Sequence, residues 1–133
     1  QLVAQARSAG SSALVRIDAF VRDWFALLVE DAWFRQSFEI LLNKTELTDA
    51  MSTTLERERR LTQSMIETLQ GLVEDAQQQG DIPADQSARQ LALMIYTQLM
   101  GVTQTWLFAP GLFDLNEQRD FFAERVLRAL QQP

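Results

Sequence analysis

An all-α fold is what this sequence predicts. Apolar residues return every three or four positions through most of the chain, and no apolar/polar alternation of period two persists beyond a few residues. Glycine and proline, five and three in 133 residues, fall mostly where the periodic runs stop. Strands are therefore not expected, and the domain has to be closed by helix-on-helix packing.

The elements follow in order. Residues 1–10 read as the end of a linker helix, and Ser8-Ala9-Gly10-Ser11-Ser12 breaks it with N-cap candidates. Leu14, Ile17, Val21, Trp24 and Leu28 then recur at helical spacing, with Phe20, Phe25 and Leu27 widening the stripe. A second helix carries Phe34, Phe38, Leu41 and Leu42; its boundary near Asp31 is marked by neither Gly nor Pro. Trp33-Phe34 reads as a packing anchor.

Thr48 is placed to cap a long third helix with Met51, Leu55, Met65, Leu69 and Leu72 on its apolar face. Its run Glu56-Arg57-Glu58-Arg59-Arg60 has interleaved signs and reads as a solvated face with i,i+4 pairs. Gly80 suits a C′ position, with Pro83 just beyond. Asp85 is the N-cap candidate for the next helix, over 86–108.

That helix is apolar nearly all round. Ala92, Ile95, Tyr96, Leu99 and Thr103 make one stripe, and Leu91, Met94, Gln98, Gly101 and Thr105 another. One face can meet the core; the second needs either the final helix or a partner. Gly101 costs about 1 kcal/mol of helix propensity, which makes sense where another helix approaches closely. Pro110-Gly111 stops the chain, and Asp114 with Glu117 resembles a capping box. Phe121, Phe122, Val126, Ala129 and Leu130 then carry the last helix. Two terminal helices with excess apolar surface point to a homodimer built as a four-helix bundle.

Composition narrows the function. An apolar fraction of 47% in 133 residues suits one domain with a real core. No cysteine and no histidine are present, which removes thiolate chemistry, the commonest general base and the commonest transition-metal ligands. A di-iron bundle needs Glu-x-x-His, and Glu56 and Glu58, two apart on a helix, face different ways. No catalytic residue, cofactor or metal is expected. The net charge of −6, with Lys44 the single lysine, argues against gripping a phosphate backbone. No run of 18 apolar residues spans a membrane, and residues 1–7 lack the apolar core of a signal peptide. A cytoplasmic location is expected.

Three segments carry a family resemblance. Gly101-Val102-Thr103-Gln104-Thr105-Trp106-Leu107-Phe108-Ala109-Pro110, continuing to Phe113-Asp114-Leu115, resembles the penultimate-to-last helix junction of TetR-family repressors of the AcrR-like, multidrug-efflux branch. Glu39-Ile40-Leu41-Leu42-Asn43-Lys44-Thr45-Glu46-Leu47 is similar to their E-I-L-x-H-K-C-E-F, departing at Asn43, Thr45 and Leu47. Gly80-Asp81-Ile82-Pro83-Ala84-Asp85 is similar to their G-x-L-P-x-D turn. The distances between the three match as well.

The resemblance implies a TetR-type C-terminal helical bundle of five to six helices, dimerising through its last two. Residues 1–133 would form the effector-binding and dimerisation domain, with the helix-turn-helix domain absent. It implies a small lipophilic effector bound inside the bundle, which releases the full-length repressor from operator DNA. Operator contact would then require the missing N-terminal domain.

Carried over position by position, the pocket candidates are Phe20, Val21 and Trp24; Phe38, Leu41 and Leu42; Met65 and Leu69; and Tyr96, Leu99, Met100 and Gln104. Gln104, Tyr96 and Asn43 would supply hydrogen bonds. The dimer-interface candidates are Met94, Gln98, Gly101, Thr105, Phe121 and Arg125. A purely structural helical adaptor without a small-molecule site is the alternative, and a cavity between the helices separates the two readings.

Overall fold

A computed structural model describes residues 12–43 and 49–132, with the side chains of 40–43 and 49–52 excepted. Among them are five helices and no strand: α1 (Ala13–Glu30), α2 (Ala32–Asn43), α3 (Asp49–Gln78), α4 (Ala88–Phe108) and α5 (Leu115–Gln131). The expected linker helix, the Thr48 cap and Lys44 lie outside the described residues.

α1 is the spine of the bundle. Ile17, Phe20, Val21, Trp24, Phe25 and Leu28 are all at most 1% exposed, because their stripe covers more than one face and neighbours close on several sides. Ser12 starts the helix, its Oγ accepting from the Val15 N–H at 3.3 Å. Asp31 forms a one-residue hinge to α2. Its own N–H donates to the Leu27 carbonyl at 2.8 Å, and its Oδ1 accepts from the Trp33 and Phe34 N–H groups at 3.0 and 3.3 Å. Arg35 reaches back, its Nη1 donating to the Leu28 and Val29 carbonyls at 2.8 and 3.1 Å. Both helix ends are thus satisfied by side chains, so the turn needs no Gly or Pro.

α3 runs 30 residues, about 45 Å. Only its second half is core: Ile66, Leu69, Leu72, Val73 and Ala76 are buried. Gly80 ends it with φ +84°. The Gly80 N–H donates to the Gln77 carbonyl at 3.1 Å and the Asp81 N–H to the Ala76 carbonyl at 2.9 Å, a Schellman closure.

α4 begins at Ser87, not Asp85. The Ser87 hydroxyl accepts from the Gln90 N–H at 3.2 Å. The shift has a physical cause in the preceding loop, where the Gln77 Nε2 donates to the Pro83 and Gln86 carbonyls at 3.1 and 2.8 Å and holds 83–86 out of the helix. Asp114 caps α5 through the Asn116 N–H at 2.9 Å. α5 docks chiefly on α1, where Phe122 meets Phe25 at 6.1 Å between ring centroids and Asp120 pairs with Arg22 at 2.7 Å. Its buried residues are Leu115, Ala123, Val126 and Leu130. Phe121 and Ala129, expected on the apolar face, are exposed.

Candidate functional site: an aromatic cavity and an uncovered helix face

α1, α2, α3 and α4 border a half-open cavity of about 470 Å³. Trp24, Leu27 and Asp31 approach from the α1 side, and Phe34, Ser37 and Phe38 from α2. Glu58, Leu61, Thr62, Ser64 and Met65 come from α3, and Tyr96 from α4. The volume falls within the range of small-molecule sites, and the wall is mainly apolar with a few polar groups, as such sites are built.

The aromatic residues form one connected cluster centred on Trp24. Its ring lies 5.5 Å from Phe34 and 6.0 Å from Tyr96, both edge-on, and 5.4 Å from Phe38. Phe34 and Phe38 stand one turn apart, 5.2 Å between centroids. The position of Trp24 is held from behind: its Nε1 donates to the Thr103 Oγ1 at 2.9 Å, and that hydroxyl donates to the Leu99 carbonyl at 2.7 Å. Thr103 is fully buried, so this pair satisfies polar groups that water cannot reach. Across the cavity, the Thr62 and Tyr96 hydroxyls sit 3.2 Å apart and join α3 to α4.

The structure brings Trp24, Phe38, Met65 and Tyr96 together on this wall. Phe20, Val21, Leu69 and Leu99 lie instead in the close-packed core, each at most 1% exposed. Met100 is half-buried against that core, and Gln104 is exposed. The side chains of Leu41, Leu42 and Asn43 lie outside the described residues. Phe34, Leu27, Thr62 and Glu58 line the cavity without having been singled out for it.

Phe34 shares the helical spacing of Phe38, a signal visible in the sequence. Glu58 is camouflaged by its charge run, expected to be solvated throughout: Glu56 and Arg59 make an exposed pair three residues apart rather than four, at 3.5 Å, while half-buried Glu58 lines the cavity. The two aromatics read together as a packing anchor also part company, for Trp33 is 83% exposed. Successive helical residues point about 100° apart.

A second feature lies on the outer face of α4. A groove of about 430 Å³ is lined by Thr97, Gln98, Gly101, Val102 and Thr105 of α4, with Phe113 and Phe122. α5 leaves this face open: Gln98, Gly101 and Thr105 are exposed. A Cβ at Gly101 would meet nothing within 4 Å, so no neighbour among the described residues explains the glycine. Phe121 is 52% exposed beside Phe122, with the Arg125 guanidinium 5.3 Å from its ring centroid. Met94 is half-buried against the core. Among the described residues no group of His, Cys, Asp and Glu is placed to hold a metal, and no helix is long and apolar enough to cross a membrane.

The fold defines an all-α bundle domain with an apolar cavity between its first four helices. Comparison with known proteins narrows this, and the chain belongs to the TetR family: residues 18–132 match the C-terminal region of MAATS-type transcriptional repressors. That family is one of transcriptional regulators, not an enzyme class. The HTH-type transcriptional regulator AcrR of Shigella flexneri is 29% identical over 90 residues, covering 67% of this chain and 42% of AcrR. Thus the matched region spans about two-fifths of that relative.

Two crystal structures of NalD, the secondary repressor of the MexAB-OprM multidrug efflux pump in Pseudomonas aeruginosa, share the fold. Their TM-scores are 0.81 and 0.84 at 21% and 22% identity. Each match covers 99% of this chain, and 66% and 67% of NalD respectively.

Proposed function

We propose that this chain is the effector-sensing and dimer-forming region of a repressor that controls multidrug efflux, acting in the cytoplasm. The observation that carries this reading is the aromatic cavity walled by Trp24, Phe34, Phe38 and Tyr96. A purely structural bundle would gain stability by filling that space. Met65 adds an adaptable wall, suited to guests of differing shape. AcrR and NalD, which this chain resembles in sequence and in fold, are both regulators, and NalD represses an efflux pump.

The same helix serves both tasks. α4 presents Tyr96 to the cavity and Gln98, Gly101 and Thr105 to the open groove. A guest that favours one placement of α4 biases whatever pairs with its outer face, by the difference in its affinity for the two states. In the full-length protein this linkage would shift the spacing of two operator-reading heads and release the DNA.

Tryptophan fluorescence titrated with planar lipophilic compounds of positive, zero and negative charge tests the reading. Trp24 sits on the cavity wall, so saturable quenching that a second compound competes away is expected. No saturable change with any compound would leave a structural helical adaptor as the better account.

A further inference from the structure

We propose that Thr103 is a positioning residue for the aromatic cavity: it lies outside the lining and fixes, through one hydrogen bond, how Trp24 stands in the wall. The inference rests on the effector-sensing reading above.

Among the described residues two polar side chains are buried, Thr68 at 5% exposure and Thr103 at 0%. Each hydroxyl donates to the carbonyl one turn back, Thr68 to Ser64 at 3.0 Å and Thr103 to Leu99 at 2.7 Å. Such back-bonds do not strengthen a helix. What distinguishes Thr103 is the Trp24 Nε1, 2.9 Å from its oxygen. The polarity of this pair is fixed. An indole N–H can only donate, so the Thr103 oxygen accepts; its own proton goes to Leu99, and that bond orients the oxygen.

The consequence appears among the rings around Trp24. Trp24 lines the cavity together with Phe34, Phe38 and Tyr96. Its plane stands at 88° to Phe34, 80° to Tyr96 and 49° to Phe38. All three angles change when the indole turns about its side-chain bonds, and the bond to Thr103 holds the ring against that turn. Thr103 thus acts on the shape of the wall from a fully buried place. A ring released from this bond has to be ordered again when a guest binds, which lowers affinity about fivefold.

Titration with N-phenyl-1-naphthylamine tests this. The probe is neutral, and its own emission rises in apolar sites, so variants without Trp24 can be followed too. Thr103→Val should weaken the probe about fivefold while the helical far-UV spectrum is kept. Thr103→Ser, which keeps the hydroxyl, should stay within about twofold of the parent. Thr68→Val removes the other buried hydroxyl, which bonds within its own helix, and should also stay within about twofold. In a Trp24→Phe background the donor is gone, and Thr103→Val should change affinity by less than about twofold. Reciprocally, saturating probe should slow solvent exchange of the Trp24 indole proton in the unaltered chain.

Four results would each overturn the role of Thr103 and leave the effector reading standing. They are a Thr103→Val chain that binds as the parent does, an equal loss in Thr68→Val or in the Trp24→Phe background, Thr103→Ser no better than Thr103→Val, and indole exchange unchanged by the probe. Should Thr103→Val lose its helical spectrum, the exchange measurement on the unaltered chain decides alone. No saturable binding to the unaltered chain would overturn the effector reading and this inference together.

Discussion

Thr103→Val isolates one buried hydrogen bond. Valine matches threonine in shape and closely in helix propensity, so neither a void nor a backbone term is introduced. What is lost is the hydroxyl that accepts from the Trp24 indole at 2.9 Å. Thr103 is 0% exposed and Trp24 1%, so the orphaned N–H has no water to turn to. Leaving such a donor unsatisfied costs about 1–3 kcal/mol. The Leu99 carbonyl, which also receives the Thr103 hydroxyl, still lies within α4 and loses less.

A loss near 2 kcal/mol corresponds to a fall in Tm of roughly 5–10 °C for a domain of this size. Urea unfolding followed by far-UV circular dichroism, at one fixed protein concentration so that association does not confound it, should show a lower midpoint with an unchanged slope. In a Trp24→Phe background the donor is gone, and the same substitution should then cost under about 0.5 kcal/mol. Equal costs in the two backgrounds, or a Thr103→Val variant as stable as the parent, would refute the reasoning.

If the chain pairs through α4 as proposed, Gly101→Leu should dissociate the proposed dimer in sedimentation velocity. Among the described residues a Cβ there meets nothing within 4 Å, so the isolated helix should gain about 1 kcal/mol of propensity. A dimer unaffected by the change would remove the α4 face from the interface. Two glycines of α3 and its cap should respond with opposite sign. Gly80→Ala, at φ +84°, should cost about 1 kcal/mol in urea midpoint. By contrast Gly71→Ala, mid-helix with nothing within 4 Å of the new Cβ, should be neutral or stabilising by up to about 1 kcal/mol.

Much of the helical framework was legible because its signals are local. The Gly80 terminus, the Asp114 cap and the end of α4 at Phe108 each depend on a few adjacent residues. Where a local signal misled, as at Asp85, a side chain from the preceding helix had intervened: Gln77 holds the loop before Ser87. The boundary expected near Asp31 stands there, closed without Gly or Pro by Asp31 itself and by Arg35. The two-faced character of α4 was also plain from spacing alone. That the second face stays open required knowing that α5 docks on α1 through Phe122 and Asp120.

The cavity divides the two kinds of information most sharply. Periodicity puts Phe20, Trp24, Phe38, Met65, Leu69, Tyr96 and Leu99 on inward faces, since the apolar stripe of a helix has to leave water. It cannot say which of them touch one another and which border a space. Phe20, Leu69 and Leu99 fill the core, whereas Trp24, Phe38, Met65 and Tyr96 surround the cavity. That choice depends on how far apart four helix axes are held, which neighbours set jointly. The sequence by itself determined the helices and their buried faces; only their packing decided where the core stops and which residues border the cavity.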